Sequence, residues 1–484
     1  MSAGAMRGFA HLLICAAIGC GWAAAQAAPG ARLEQGLEPG IDQGIEQRID
    51  QLNVQLQQDQ ARLRAEQTEI DALKAQLAVQ VQAVQDRETV DAGKIDTQHQ
   101  TKVASGSRFR VTLSGLLLMN LYGNAGTVEN SDVPNLALAP AAGSTGGDIG
   151  ATVRQSELGL RVSGATLAGA RASGEILADF YGGFPGYLDA TASGLLRLKI
   201  ARGRLDWSHT SLLFGVDEPW ISPLSPTSNA SLGTPALAAS GNLWTWTPQI
   251  GVEQRWSLGT QWRDTLRLGL MDPLSGEYPA RTTVRKPEAG EASRQPALEA
   301  REAVGRDLFG RDFTLGAGAY SSRQAYGFGR SVQAWAATGD WNLAVTPWLD
   351  ISGEAYRGRA LGGLWGAMGD SVVASAAART DPGTLIAGLN TAGGWGQLKF
   401  HLSPTLEFNA VYGLDNPFTQ DLRRFAATQS TNPVARNQTA LVNLIARPRS
   451  DLVLALEYRR LRTVRLNSGA NTAGHVDAAV GVSF

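Results

Sequence analysis

From Phe109 onward, apolar and polar residues alternate along the chain. In SELGLRVSG (156–164), Leu158, Leu160 and Val162 share one face, with Glu157, Arg161 and Ser163 on the other. GEILADFYG (174–182) sets Glu175 and Asp179 against Ile176, Ala178 and Phe180. LLRLKIARGRLDW (195–207) sets Arg197 and Lys199 opposite Leu196, Leu198 and Ile200. A period of two is the signature of a strand whose two faces meet different surroundings. The pattern predicts about sixteen strands, at 109–123, 156–164, 174–182, 195–207, 211–217, 249–256, 265–272, 296–304, 313–322, 332–345, 347–359, 395–402, 404–415, 437–448, 451–462 and 475–484.

The pattern upstream is different. Ile49, Leu56, Leu63, Ile70, Leu77 and Val84 recur every seventh residue, and Leu52 and Leu73 fill part of the second seam position. Asp59, Glu66 and Gln80 occupy the rest of it, and neither Pro nor Gly occurs from 49 to 84. This predicts an α-helical coiled coil over 49–88. A helix so polar buries no core alone, so the pattern implies self-association, and polar seam positions suit a trimer as well as a dimer. Residues 28–48, with Pro39, read as a frayed lead-in, and 89–107 as a polar linker.

Residues 1–27 carry Arg7, an apolar stretch from Phe9 to about Ala25, and the small-residue site Ala25-Gln26-Ala27. That is the form of a secretory signal peptide. The stretch is short and rich in small residues for a membrane anchor, and Ala17-Ile18-Gly19 before Cys20 matches lipoprotein processing poorly. Cys15 and Cys20 both fall in this leader, so no disulfide is available to the rest of the chain. Beyond the leader, no run of 18 apolar residues occurs, which excludes a helical span.

The connections between the predicted strands alternate in length. Short ones lie at 163–169, 207–210, 257–264, 346–347, 403–404 and 447–450; long ones at 124–150, 218–248, 272–295, 360–394 and 416–436. Short turns on one rim and long loops on the other belong to an all-β transmembrane β-barrel of antiparallel strands, here over 108–484. Trp207, Trp256, Trp262, Trp341 and Trp348 flank the short turns, where a periplasmic aromatic girdle is expected. In the last strand Val476, Ala478, Val480, Val482 and Phe484 share a face. Closure onto the first strand leaves no edge, and an apolar face then belongs against lipid.

Composition narrows the function. The net charge is −1, so nothing points to nucleic acid, and 56 Gly and 12 Trp with only 18% charged residues suit a β-protein with many turns. Past the leader the histidines are His99, His209, His401 and His475, and no GxSxG, HExxH or phosphate-loop pattern occurs. Hydrolysis needs a nucleophile within reach of a base. No catalytic residue, metal or cofactor is therefore expected, and the protein reads as no enzyme.

The order of leader, coil, linker, strands and terminal Phe resembles the trimeric outer-membrane porins with an N-terminal coiled coil, of the DcaP-like and phosphate-selective types. RQSELGLRV (154–162) and GNLWTWTPQIGVEQRW (241–256) carry the local likeness. The resemblance implies three sixteen-stranded pores in a homotrimer of the bacterial outer membrane, among lipid and lipopolysaccharide. It implies passive diffusion of small hydrophilic solutes past a third loop, Glu218 to Pro248, folded into each lumen. The five alternate residues ending in Phe484 resemble the sorting signal read by the barrel assembly machinery.

Charges within strands should face the lumen, because on the lipid face at mid-bilayer they cost about 2–4 kcal/mol. The candidates for lining the pore are Arg154, Glu157, Arg161, Arg171, Glu175, Asp179, Arg197, Lys199, Glu457 and Arg459. Residues 420–465 hold nine Arg against Asp421, Asp451 and Glu457, and after residue 108 the lysines are Lys199, Lys286 and Lys399 alone. Arginine's planar fork takes carboxylates bidentately, which favours small organic anions over phosphate. Two alternatives remain open. The arginines could sit at loop rims against lipopolysaccharide or neighbouring acids. The protein could instead tether the envelope through a periplasmic coil, and such a protein would not swell liposomes.

Overall fold

The computed structural model describes residues 109–184, 194–259, 261–276, 285–376, 379, 381–425 and 432–484. The expected signal peptide, lead-in, coiled coil and linker lie outside these residues.

The described residues form a closed barrel of sixteen antiparallel strands. They are β1 (Arg110–Ala125), β2 (Gly147–Thr152, resuming as Glu157–Leu167), β3 (Ala170–Asp179), β4 (Arg197–Asp206), β5 (Thr210–Asp217), β6 (Thr247–Leu258), β7 (Trp262–Met271) and β8 (Ala297–Leu308). The second half comprises β9 (Arg311–Ala325), β10 (Ser331–Thr346), β11 (Leu349–Arg359), β12 (Asn390–Ser403), β13 (Leu406–Pro417), β14 (Val434–Arg449), β15 (Leu452–Arg465) and β16 (Gly469–Ser483). Each strand pairs with its neighbour in sequence, and β1 pairs with both β2 and β16. At the seam, Leu117 stands opposite Val482, Gly115 N donates to Phe484 O at 2.9 Å, and Phe484 N donates to Gly115 O at 3.0 Å. The bonds run to the last residue, so the sheet has no open edge there.

Alternation sorts the side chains as the sequence pattern predicts. On β16, Val476, Val480, Val482 and Phe484 are exposed on the outside, while His475 and Asp477 are buried inside. On β1, Leu113, Leu117 and Leu121 face out and Asn120 and Asn124 face in. Trp207, Trp256 and Trp348 are exposed beside the short turns. Five of those turns are two residues long, and two of them, Ala168-Gly169 and Phe309-Gly310, have positive φ at all four positions. That geometry matches the twist of the strands it joins. The expected connection 163–169 is thus mostly strand. The loop 180–196 between β3 and β4 is a further long connection that the pattern did not mark.

On the long-loop rim the connections in order are 126–146, 180–196, 218–246, 272–296, 326–330, 360–389, 418–433 and 466–468. The third, 218–246, folds inside the barrel. Its Ile221 and Leu243 join Tyr320, Tyr356, Leu361 and Leu364 in one apolar core, and its Leu237 packs with Trp395, Val411 and Leu441 in another. The barrel interior is therefore filled along β8–β14.

Candidate pore and its charged wall

The third loop is held by polar side chains that the strands aim inward. Glu354 on β11 accepts from Ser222 Oγ at 2.5 Å and Leu224 N at 2.7 Å. Glu299 on β8 accepts from Trp220 N at 2.7 Å, and Gln397 on β12 accepts from Thr227 N at 2.8 Å. Across the lumen, Gln155 Oε1 accepts from Leu232 N at 2.6 Å and Gly233 N at 3.0 Å. Buried backbone groups need such partners, so the loop's path is set by where these side chains stand.

Gln155 reaches the lumen because β2 is interrupted between Thr152 and Glu157. The break also turns Arg154 inward, where it forms a bidentate pair with Asp132 of the first loop and lies over the Tyr181 ring. Glu457 and Arg459 on β15 also face inward, but they are enclosed. Arg459 donates to Glu457 at 2.6 Å, to Ser231 Oγ at 2.7 Å and to Pro134 O at 3.2 Å. Arg154, Glu457 and Arg459 thus hold loops and do not line open space.

A bulge in β4 decides what does. Leu177 of β3 stands opposite Ile200 while the next residue, Ala178, stands opposite Leu198, so Lys199 is the extra residue. Ile200 is consequently inside and buried, not on the lipid side with Leu196 and Leu198 as strict alternation expects. The bulge inverts the parity of everything after it. Arg202, Arg204 and Asp206 therefore face inward, opposite Gly215, Leu213 and Ser211 of β5. These residues were missed in the sequence. The signal was there: the charges sit at 197 and 199, then at 202, 204 and 206, and lipid tolerates neither set.

Together β2–β7 carry a lattice of ion pairs. Arg202 bridges Glu175 at 2.9 Å and Asp217 at 3.1 Å, and Arg161 reaches Glu175 at 3.3 Å. Glu253 receives Arg204 at 2.8 Å, Arg255 at 2.5 Å and Arg267 at 2.7 Å. Arg197 pairs with Asp179 at 2.6 Å, and Lys199 with Glu157 at 2.6 Å. The two signs are not equally accessible. The Arg161 and Arg202 side chains are 64% and 42% exposed, whereas those of Asp179 and Glu253 are 0% and 4% exposed. Each of these guanidinium groups is more exposed than the acid it pairs with, although Glu175, Asp217 and Glu218 also line the middle cavity and Lys199 is less exposed than Glu157.

Three cavities follow this wall. An outer one of about 850 Å³ lies between the first, third, fourth and sixth loops and includes Arg197, Tyr181, Trp244, Trp246 and Trp365. A middle one of about 440 Å³ includes Arg161, Glu175, Arg202, Arg204, Arg267, Glu218 and Trp220. A third of about 610 Å³, at the short-turn rim, includes Arg171, Arg204, Asp206 and Arg255. Arg204 borders both of the lower two. Glu218, at the start of the third loop, is exposed to the middle cavity inside the barrel. Partial desolvation by the surrounding barrel, then the Asp217 carboxylate, push its pKa above the ordinary range, against the hydrogen bond from Trp246 and the charges of Lys199 and Arg202.

No protein-family model and no curated protein matches the chain. Among solved structures, the chain is similar to the outer membrane channel DcaP of Acinetobacter baumannii, with 16% identity over 79% of this chain and 99% of that one and a TM-score of 0.57. An anion-selective porin from Comamonas acidovorans aligns at 12% identity over 78% of this chain and all of that one, with a TM-score of 0.48. The barrel thus has the fold of an outer-membrane porin, DcaP among them.

Proposed function

We propose that the protein is a passive pore of the bacterial outer membrane, prefers small organic anions such as carboxylates, and works as a homotrimer. The observation that carries the anion preference is the lattice on β2–β7, in which the arginines outnumber the acids along the cavities and are more exposed than the acids they pair with. A solute following that wall meets guanidinium groups from Arg197 past Arg202 and Arg204 to Arg171. Selectivity in pores is short-range electrostatics at such linings, and each fork suits a carboxylate. The DcaP fold, that of an outer membrane channel, supports the pore reading.

For the trimer, the proposed contact is the outer wall of β16 and β1–β5, one sector of an outer face that is apolar all round. Leu117, Leu121, Ile149, Leu158, Ile176, Leu198 and Phe214 are exposed there. Subunits packing through this sector would leave the rest of the wall to lipid.

Liposome swelling tests the reading. Proteoliposomes of the full chain should swell faster in an organic carboxylate than in an ammonium solute of equal size. Equal rates would remove the anion preference, and no swelling at all would remove the pore.

A further inference from the structure

The arginines of the last strands divide by facing. Arg459 points in, whereas Arg436 on β14 and Arg460 and Arg462 on β15 are exposed on the outside, near the long-loop rim. Arg462 stands opposite Gln438, Arg460 opposite Ala440, and Arg436 opposite Val464, so the three lie on one patch across two paired strands. Their hydrogen bonds go to neutral partners. Arg462 donates to Gln438 Oε1 at 3.2 Å, Gln438 donates to Tyr412 Oη at 3.0 Å, and Arg436 donates to Asn416 Oδ1 at 3.1 Å. Among the described residues no carboxylate pairs with any of the three. The acids of β13–β16 are Glu407, Asp415, Glu457 and Asp477. All four take inward positions; Glu407 does so opposite the buried Ile445.

The height of the patch is set by its neighbours. Toward the short-turn rim the outer face carries Tyr412 and Tyr458, and beyond them Val442, Leu444, Leu454 and Leu456, all exposed. Aliphatic, then tyrosine, then arginine is the order of bilayer core, interface and headgroup layer. Arginines at that depth, with no acid of their own, face the phosphates of the lipid leaflet. Around the barrel at the same rim, β1 and β2 present Leu121 and Ile149 instead. Arg323 on β9 and Arg357 on β11 also take outward positions near that rim, each on its own strand, whereas Arg436, Arg460 and Arg462 lie together on one patch.

We propose that Arg436, Arg460 and Arg462 form a docking site on the outer wall of β13–β15 for the phosphorylated headgroup of an outer-leaflet glycolipid. Guanidinium forks hold phosphate oxygens bidentately, and Tyr412 and Tyr458 lie where the headgroup meets the acyl chains. The site rests on placing the barrel in an outer membrane.

The test uses the full chain in its native oligomer, delipidated and titrated with lipid A bearing both phosphates or with the same lipid dephosphorylated. Bound copies are counted by native mass spectrometry. The phosphorylated form should bind at least about tenfold more tightly, equivalent to ~1.4 kcal/mol. The variant Arg436→Gln, Arg460→Gln, Arg462→Gln should lose that difference while its single-channel conductance stays unchanged, since none of the three faces the lumen. Replacement by Lys should retain part of it. Equal binding of the two lipids, or an unaltered preference in the Gln variant, overturns the site. If the Gln variant does not fold, the lipid comparison on the unaltered protein and the Lys variant decide. Failure to insert into bilayers at all would instead strike the outer-membrane placement.

Discussion

The two halves of the barrel interior are built differently. Along β8–β14 most inward side chains are apolar or amide: Tyr320, Tyr356, Trp395, Val411 and Leu441 pack on the loops, and Gln397, Asn409 and Asn443 form a hydrogen-bonded chain that ends on the third loop. The charged ones there, Glu299, Glu354, Asp415 and the Arg301–Asp340 pair, are buried and engaged. Along β2–β7 the inward side chains are charged, and cavities lie beside them. One half holds the loop through a packed core; the other touches it at Gln155, Arg197 and Lys199 and leaves cavities for solutes. The difference teaches that the position of the path is decided by the wall that holds the loop, while the solute's sign is read by the wall opposite.

The strongest way to break this division is to remove the front row of the charged wall. Arg202→Gln, Arg204→Gln and Arg267→Gln together would leave Glu175, Asp217 and Glu253 facing the middle cavity. The ratio of chloride to potassium permeability should fall by about tenfold, because one charge at about 4 Å is worth ~1 kcal/mol even at the dielectric constant of water. Reversal potentials of the variant in a salt gradient measure it, and an unchanged ratio would separate the lattice from selectivity.

The next test acts on the other wall. Glu354→Ala deprives Leu224 N of its acceptor and leaves Ser222 Oγ with Leu243 O alone, at a cost of about 1–3 kcal/mol for the unsatisfied amide. The third loop should loosen, and single-channel records should show a larger and noisier current with little change in ion preference. A quiet current of the original size would mean that the loop is held without Glu354.

A smaller effect comes from pH. Glu218 has its pKa raised by partial desolvation within the barrel and by Asp217, so as pH falls it takes a proton before ordinary carboxylates do. The middle cavity then loses one negative charge beside Lys199 and Arg202, and anion preference should rise as pH falls through that pKa. Glu218→Gln should hold the acid-side preference at every pH. The same rise in the Gln variant would assign it to other groups.

The smallest effect sits at the seam. A Cβ at Gly115 would lie 2.3 Å from the Phe484 ring, so Gly115→Ala should slow barrel closure by displacing the ring, and Phe484→Ala should relieve that defect in the double variant. Heat-modified gel mobility followed over time measures the closure rate. Additive defects would show that the ring does not need the glycine.

Much of the barrel was legible in its sequence because alternation is a direct consequence of a wall with two different sides. The number of strands, the face of Val476 to Phe484 and the inward position of Arg197 and Lys199 follow from it. What the alternation hid were its interruptions. The break at 153–156 and the bulge at Lys199 shift parity by one, and the second of these brings Arg202 and Arg204 into the lumen. Arg255 and Arg267, by contrast, keep regular parity and were open to the same reasoning as Arg197. Burial was not legible at all: Arg459 and Arg197 are equally inward by period, and only the courses of the first and third loops, which meet Arg459 at Pro134 and Ser231, cover one and leave the other beside a cavity.

The central claim is that solutes pass along an arginine-fronted wall. Purified full-length protein in a planar bilayer under a potassium chloride gradient tests it most directly. The account predicts stepwise conductance with a reversal potential on the chloride side. A reversal on the potassium side would contradict it, and would give the inner face to Glu175, Asp217 and Glu253 instead.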